Sequence, residues 1–412
     1  MTAPISATAV AALADEALDW RFKGLPAAWW GHTVAQVRAR TPELFADGAV
    51  GPVGVLHAEA LTHNLETMAR WCADHGVLLA PHGKTHMAPA LLARQLEAGA
   101  CAVTAATVSQ IRVFRAFGVR EVILANELVD TAGLRWLAAE LDADADFRLT
   151  CWVDSVRGVS LMTAALTAAG AGRPVDVCVE IGMPDGRTGC RDAETVDEVA
   201  RAAAASPRLR LVGVAGYEAA LGHDLTVEAV ARVQSHLAQL RGAVVRIAPL
   251  VQSDAVVATA GGSTYFDLVA DALTDWPAGL SVVPIVRSGC YLAHDDGLYG
   301  RTSPLRGELR PALSVWAQVM SRPQAGLALL TMGRRDVSFD QDLPMPYGLP
   351  ASRVTKLNDQ HAYLRLGDGD SVEIGDWVQF GISHPCTVFD KWPMIPVLDD
   401  RGRVVDLIRT FF

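Results

Sequence analysis

From residue 51 to about residue 260 the chain repeats one unit: a short apolar run, then a longer stretch whose apolar residues fall three and four apart. Val53–Leu56 is the first such run. The stretch after it sets Leu61, Leu65, Met68 and Cys72 on one helical face. The later runs are Val77–Ala80, Ala100–Ala106, Glu121–Ala125, Phe147–Val153, Val175–Ile181, Leu209–Ala215 and Ala255–Ala260, each followed by a helical pattern. Eight strands alternating with eight helices predict a (β/α)8 barrel of TIM type. A doubly wound sheet shares this periodicity, but the even spacing and the lack of a switch point favour closure. Val244–Leu250 reads either as the end of the preceding helix or as a run of its own.

After about residue 290 the period changes to two. Leu313, Val315, Ala317 and Val319 alternate with other side chains, as do Ala362, Leu364 and Leu366, and then Val378, Phe380 and Ile382. Gly367-Asp368-Gly369-Asp370 marks a turn between such runs. The expected organisation is an irregular leader over residues 1–50 packed on the body, a barrel over 51–290, and a mostly antiparallel β domain over 291–412.

Composition narrows the partners. A net charge of −10 without a dense basic cluster argues against nucleic acid and anionic membrane. No apolar run approaches the ~18 residues of a spanning helix. Asp15 and Glu16 sit early and no basic start precedes them, so the first residues do not read as a signal peptide. Seven scattered cysteines without a Cys-x-x-Cys pair fit a reducing cytoplasm better than a disulfide framework.

Five stretches carry chemistry. Pro81-His82-Gly83-Lys84-Thr85-His86 lies between the second apolar run and a helix opening at Pro89, so Lys84 stands at the strand edge where reactive side chains collect. Ala260-Gly261-Gly262-Ser263-Thr264-Tyr265 closes the eighth run; it is either a phosphate cradle or a capped glycine turn. Gly186-Arg187-Thr188-Gly189 follows the sixth run and offers an arginine at a strand's C-terminal end. Tyr217 and Glu218 follow the seventh run; Tyr217 is a candidate cofactor contact or a cover for the barrel mouth, and Glu218 a candidate acid/base. In Gly381-Ile382-Ser383-His384-Pro385-Cys386, an extended strand would turn His384 and Cys386 to one side. Imidazole and thiolate are good zinc ligands, and two protein ligands leave positions for substrate and water.

In this order the motifs resemble the alanine racemase-like, fold type III pyridoxal-phosphate enzymes. They are most similar to the zinc-dependent D-serine dehydratase and D-threonine aldolase branch, and the leader with Asp19-Trp20-Arg21 resembles bacterial amino acid deaminases of that branch. The resemblance implies that Lys84 anchors pyridoxal 5'-phosphate and that Gly261, Gly262, Ser263 and Thr264 hold its phosphate. Ser288 and Gly289, in Arg287-Ser288-Gly289-Cys290-Tyr291, would lie beside that phosphate. Arg187 would meet the pyridine nitrogen and leave it unprotonated, because a guanidinium does not give up its proton. His384 and Cys386 would hold Zn2+. Dehydratases of the branch pair histidine with cysteine and aldolases pair histidine with aspartate, so Cys386 points to dehydration. The expected reaction converts a D-3-hydroxy amino acid such as D-serine or D-threonine to a 2-keto acid and ammonia, with Lys84 as the α-proton base. An aldolase would use the same groups. A racemase would need a second base, such as Tyr291 or a partner chain's residue. A non-enzymatic cofactor-binding protein would lack the β domain. The resemblance also implies a homodimer. His57, where relatives usually carry an acidic residue, and His82 and His86 receive no role.

Overall fold

The computed structural model describes residues 4–412, which form two compact units. One holds residues 4–6, 69–84 and 95–289; the other holds 7–68, 85–94 and 290–412, so the chain passes from one to the other between Lys84 and Thr85.

The strands are β1 (Val53–His57), β2 (Leu78–Leu79), β3 (Val103–Ala105), β4 (Glu121–Glu127), β5 (Arg148–Val153), β6 (Val175–Ile181), β7 (Leu209–Gly216), β8 (Val256–Ala260) and β9 (Val282–Val286) in the first 289 residues. In the first unit β2 to β9 make an all-parallel eight-stranded sheet in the order β2-β9-β8-β7-β6-β5-β4-β3. Its two ends meet. The Cys101 N–H donates to the Leu79 carbonyl at 2.8 Å, the Thr104 N–H donates to the Pro81 carbonyl at 2.9 Å, and His82 bridges Thr104. The sheet is therefore a closed (β/α)8 barrel. Ala80, Ile123, Trp152, Cys178, Val212, Ala215 and Ile285 fill one of its core clusters.

Local chemistry sets the helices around it. Thr107, Asp130, Ser155, Asp192 and Thr226 each cap a helix by accepting a backbone N–H two or three residues on. Each such cap is worth ~1 kcal/mol. The helix Val227–Ile247 absorbs most of the ambiguous stretch near Val244. Between β6 and β7 the register slips by one residue, so that Val177 pairs with Leu211 and Cys178 with Gly213. At Gly213 a side chain would collide with the Val257 carbonyl oxygen of β8.

One expected barrel strand is absent from the barrel. Val53–Leu56 lies in the second unit, antiparallel to β10 (Leu313–Gln324) with Val53 opposite Trp316 and Leu56 opposite Leu313. A short apolar run before an amphipathic helix looks the same in either sheet, so periodicity alone misassigned it. The eighth barrel strand is β9, which lies beyond the repeat that ends near residue 260.

The remaining strands are β11 (Leu327–Leu330), β12 (Met345–Pro346), β13 (Arg353–Leu357), β14 (Ala362–Arg365), β15 (Trp377–Gly381), β16 (Met394–Leu398) and β17 (Val404–Arg409). With β1 and β10 they form a mostly antiparallel sheet, in which β1–β16 is the parallel pair. The expected alternation holds: Leu313, Val315, Ala317, Val319, Val378 and Phe380 are all buried. The boundary expected at residue 50 does not separate units. Leu18, Phe22, Leu25, Trp29, Val34, Val37 and Leu44 share one core cluster with Val53, Val55, Met394 and Val404. No helix among the described residues is long and apolar enough to cross a membrane.

A Gly213→Ala substitution should cost about 3 kcal/mol, because the β7–β8 backbones cannot part without breaking ladder bonds. Chemical denaturation will measure it, and an unchanged midpoint would contradict the close approach.

Candidate active site

The chain has four lysines. Lys23 pairs with Asp336 at 2.7 Å, Lys391 with Asp390 at 3.1 Å, and Lys356 sits over the Tyr363 ring. Lys84, half-buried in the short turn Gly83–Thr85, has no such partner among the described residues. Gly83 is required there because a side chain would collide with Phe114 and Val103. That contact seats the turn at the C-terminal end of β2.

Lys84 shares its surroundings with two guanidinium groups. Burial first, and then the charges of Lys84, Arg287 and Arg187, hold the His82 imidazole well below its usual range. It is therefore neutral, and its buried Nδ1 has no hydrogen-bond partner. Arg287 is fully enclosed, donating to Thr259 Oγ1 at 2.6 Å and to the Gly216 carbonyl at 2.7 Å. Arg187 lies 4.6 Å over the Tyr217 ring, and with Glu180 these residues line one small cavity. Its loop is held by Arg191, which donates to the Thr188 and Gly189 carbonyls at 2.9 and 2.7 Å and also to those of Gly186 and Arg187. Arg191 carried no sequence signal beyond its place near the glycines.

The loop after β8 meets the segment after β9 through Ser263 and Ser288, whose hydroxyls are 3.1 Å apart. Thr264 Oγ1 is 2.7 Å from His223 Nδ1. Gly289 follows Ser288 directly. Gly261 and Gly262 depart from expectation, because their N–H groups donate to the Glu218 carboxylate at 3.0 and 2.7 Å. Glu218 is fully buried, so it is a ligand of the loop and not an exposed acid/base. Three cations around a neutral imidazole, with clustered hydroxyls at the ends of two strands, suit a ligand carrying a phosphate. The residues present thus fit pyridoxal phosphate.

Two carboxyls that carried no assigned role meet inside this unit. Burial, then Glu180 and Asp154, push Glu127 up to about 8. As acceptors alone, both Glu127 oxygens and Glu180 Oε2 lack donors. One proton on Glu127 supplies that donor.

In the second unit His384 and Cys386 do come together, though not along a strand. β15 ends at Gly381, His384 has φ +66°, and Pro385 opens the short helix Cys386–Phe389. Pro385 has no N–H to donate to a ladder, and Asp295 Oδ2 accepts the His384 N–H at 2.9 Å to hold the turn. Burial pulls the His384 imidazole down, but hydrogen bonding to Cys386 and pairing with Asp340 outweigh it and push it up to about 9. His384 Nδ1 is 2.5 Å from Asp340 Oδ2, and Thr387 donates to Asp340 Oδ1 at 2.7 Å. Cys386 Sγ lies 3.4 Å from Cys290 Sγ and 3.4 Å from Thr85 Oγ1. Contact with Cys290, opposed by burial and reinforced by His384, holds the Cys386 thiol well below its usual range. A thiolate beside an imidazole whose far nitrogen is fixed by a carboxylate matches zinc donor chemistry. Among the described residues no three His, Cys, Asp or Glu side chains are already set for a metal, so the pair would need other ligands to complete a shell.

His57 has a structural role: its Nε2 lies 2.9 Å from Ser314 Oγ and 3.2 Å from Gln379 Nε2, across β1, β10 and β15. His86 is buried, accepts the Ala88 N–H at 2.9 Å and meets Phe389 edge-on. Tyr291 is buried as well.

Residues 56–270 match the model for "Alanine racemase, N-terminal domain", and residues 312–398 match a serine dehydratase domain model. The chain is 28% identical over 359 residues to the D-threonine aldolase of Arthrobacter sp., covering 86% of this chain and 90% of that protein. The D-threonine aldolase structure from Filomicrobium marinum aligns with TM-score 0.76 and 27% identity over 89% of this chain and 96% of that one. The D-threo-3-hydroxyaspartate dehydratase of Delftia sp. HT23 shares the fold, at TM-score 0.72 and 22% identity over 88% and 98% of the two chains.

Glu127 binds its proton more tightly in the folded chain than in the unfolded one, where its value is near 4.5. The stability this proton supports is complete below about pH 4.5 and is lost as pH rises toward about 8. Glu127→Gln should therefore melt with the parent at about pH 5 and above it at about pH 9. Equal melting temperatures at both values would contradict the shared proton.

Proposed function

Because the chain belongs to the alanine racemase-like family of pyridoxal-phosphate enzymes, we propose that it is a lyase for D-3-hydroxy amino acids, and specifically a dehydratase releasing a 2-keto acid and ammonia. The observation that carries the choice of dehydration is the donor pair. His384 is joined by the thiol of Cys386, held low by its neighbours, where an aldolase of this branch would present an aspartate.

Pyridoxal phosphate, when bound, supplies an electron sink for negative charge at the substrate Cα. Lys84 would anchor it, and its free amine would be the group placed to take the α-proton. Ser263, Thr264 and Ser288 would hold the phosphate. Arg187, fixed over Tyr217, would keep the pyridine nitrogen unprotonated and moderate the sink. A zinc ion on His384 and Cys386 would lend Lewis acidity to the β-hydroxyl. Asp340, on Nδ1, keeps the His384 ring oriented so that its other nitrogen faces Cys386. Loss of the α-proton and of hydroxide leaves an enamine, and its hydrolysis gives the keto acid and ammonia.

A second reading is favoured by the relatives. Two of the matched proteins are D-threonine aldolases. An aldolase would deprotonate the hydroxyl and split the Cα–Cβ bond to give glycine and an aldehyde.

The test is to incubate the protein, loaded with cofactor and zinc, with D-serine, D-threonine and a bulkier 3-hydroxy D-amino acid, and to assay keto acid, ammonia and aldehyde. Keto acid and ammonia in equal amounts are expected; glycine and aldehyde would overturn dehydration in favour of cleavage. Activity that survives EDTA would remove the metal from the account. Asp340→Ala should weaken zinc binding about 10–100-fold, measured by competition with a chromophoric chelator; unchanged affinity would contradict the His384–Asp340 coupling.

A further inference from the structure

We propose that Glu218 is the strut of the phosphate loop: its carboxylate holds Gly261 and Gly262 from within the protein and so sets where Ser263 and Thr264 meet the cofactor phosphate. This rests on the pyridoxal-phosphate reading above.

Paired glycines at the end of a barrel strand usually present their N–H groups to a ligand. In this chain those donors are spent. Gly261 N–H reaches Glu218 Oε2 at 3.0 Å and Gly262 N–H reaches Oε1 at 2.7 Å, one oxygen to each. The carboxylate has no exposed surface. A phosphate taking the same donors would have to evict a buried charge, which costs far more than the two hydrogen bonds return. The phosphate contacts therefore shift to the next residues, of which Ser263 has its hydroxyl 3.1 Å from that of Ser288.

The strut belongs to a larger clamp. Glu218 starts the short turn Glu218–Leu221 directly after β7. Farther along the same connection, His223 Nδ1 is 2.7 Å from Thr264 Oγ1, and the Asp224 carbonyl accepts the Tyr265 hydroxyl at 2.6 Å. Four residues of the phosphate loop are thus held by the connection after the neighbouring strand. A side chain at Gly262 would press on Ala219 at 3.1 Å and Tyr217 at 3.3 Å, so the two segments are also in close contact. The buried Arg287 supplies the compensating positive charge. Its guanidinium bonds Thr259 and the Gly216 carbonyl; burial pushes the Glu218 carboxyl up, and the glycine N–H groups and the Arg287 charge pull against that shift.

The experiment compares two ligands that differ only in the phosphate. The full-length chain, stripped of cofactor, is titrated with pyridoxal phosphate and with pyridoxal, following absorbance and tryptophan fluorescence. Glu218→Gln keeps one acceptor and turns an amide toward the other N–H. It should weaken pyridoxal phosphate about 10–100-fold and leave pyridoxal unchanged. Glu218→Ala should weaken the phosphate ligand further, and melting of the cofactor-free chain reports whether it folds; the glutamine variant carries the test if it does not. Equal weakening of both ligands would reduce Glu218 to general support of the fold and overturn the proposal. Tighter binding of pyridoxal phosphate by Glu218→Gln would also overturn it, since Glu218 would then be a competitor for the glycine donors. Wild-type protein that binds pyridoxal as well as pyridoxal phosphate would instead overturn the phosphate-loop reading itself.

Discussion

The barrel closes through a strand of two residues. Leu78 and Leu79 pair with Ile285 and Val286 on one side, and the Leu79 and Pro81 carbonyls receive N–H groups from Cys101 and Thr104 on the other. Without those bonds the parallel sheet would have two open edges, and its first and last strands would not share a rim. With them, side chains more than a hundred residues apart in sequence gather at the strand ends. Lys84 follows β2, Arg187 follows β6, Tyr217 and Glu218 follow β7, Ser263 follows β8 and Ser288 follows β9. The catalytic possibilities of the unit depend on this closure, as they do in barrels generally.

That rim holds unusual buried charge. Arg287 and Glu218 are both enclosed, and burial opposes the ionised form of each. Each is stabilised by hydrogen bonds: Arg287 by a hydroxyl and a carbonyl, Glu218 by two glycine N–H groups. Breaking such an arrangement by removing one member leaves an uncompensated charge, which is where large penalties arise. The surplus is positive around His82, because Lys84 and Arg187 add to Arg287 and, among the described residues, no carboxylate is bonded to Lys84. An anionic cofactor is the natural counterpart of that surplus. The Glu127–Glu180 pair supplies at most one negative charge against it, since Glu127 holds its proton up to about 8.

Much of this was legible in the sequence. Seven barrel strands follow from period and spacing, and the change to period two after residue 290 announces the second sheet. What stayed hidden shares one cause: it depends on which distant segment a stretch meets. Val53–Leu56 has the local signature of a barrel strand, yet it pairs with residues 313–316. The glycine loop reads as either an anion cradle or a capped turn because nothing local shows that Glu218, about 40 residues earlier, occupies its donors. Strand alternation predicts the His384–Cys386 pair, but a left-handed residue and a proline are what join them. Asp340, Asp295 and Cys290, which orient and flank that pair, are invisible until the chain has folded. Four lysines in 412 residues make Lys84, the one without a salt-bridge or ring partner among the described residues, conspicuous.

That scarcity also makes the central claim, that Lys84 anchors the cofactor, open to direct measurement. Borohydride reduction of the cofactor-loaded protein, followed by proteolysis and mass spectrometry, locates the lysine bonded to pyridoxal phosphate among Lys23, Lys84, Lys356 and Lys391. The account predicts one modified peptide, the one containing Lys84, and none in a Lys84→Ala variant. Modification of another lysine, or an unchanged yield in that variant, would contradict it.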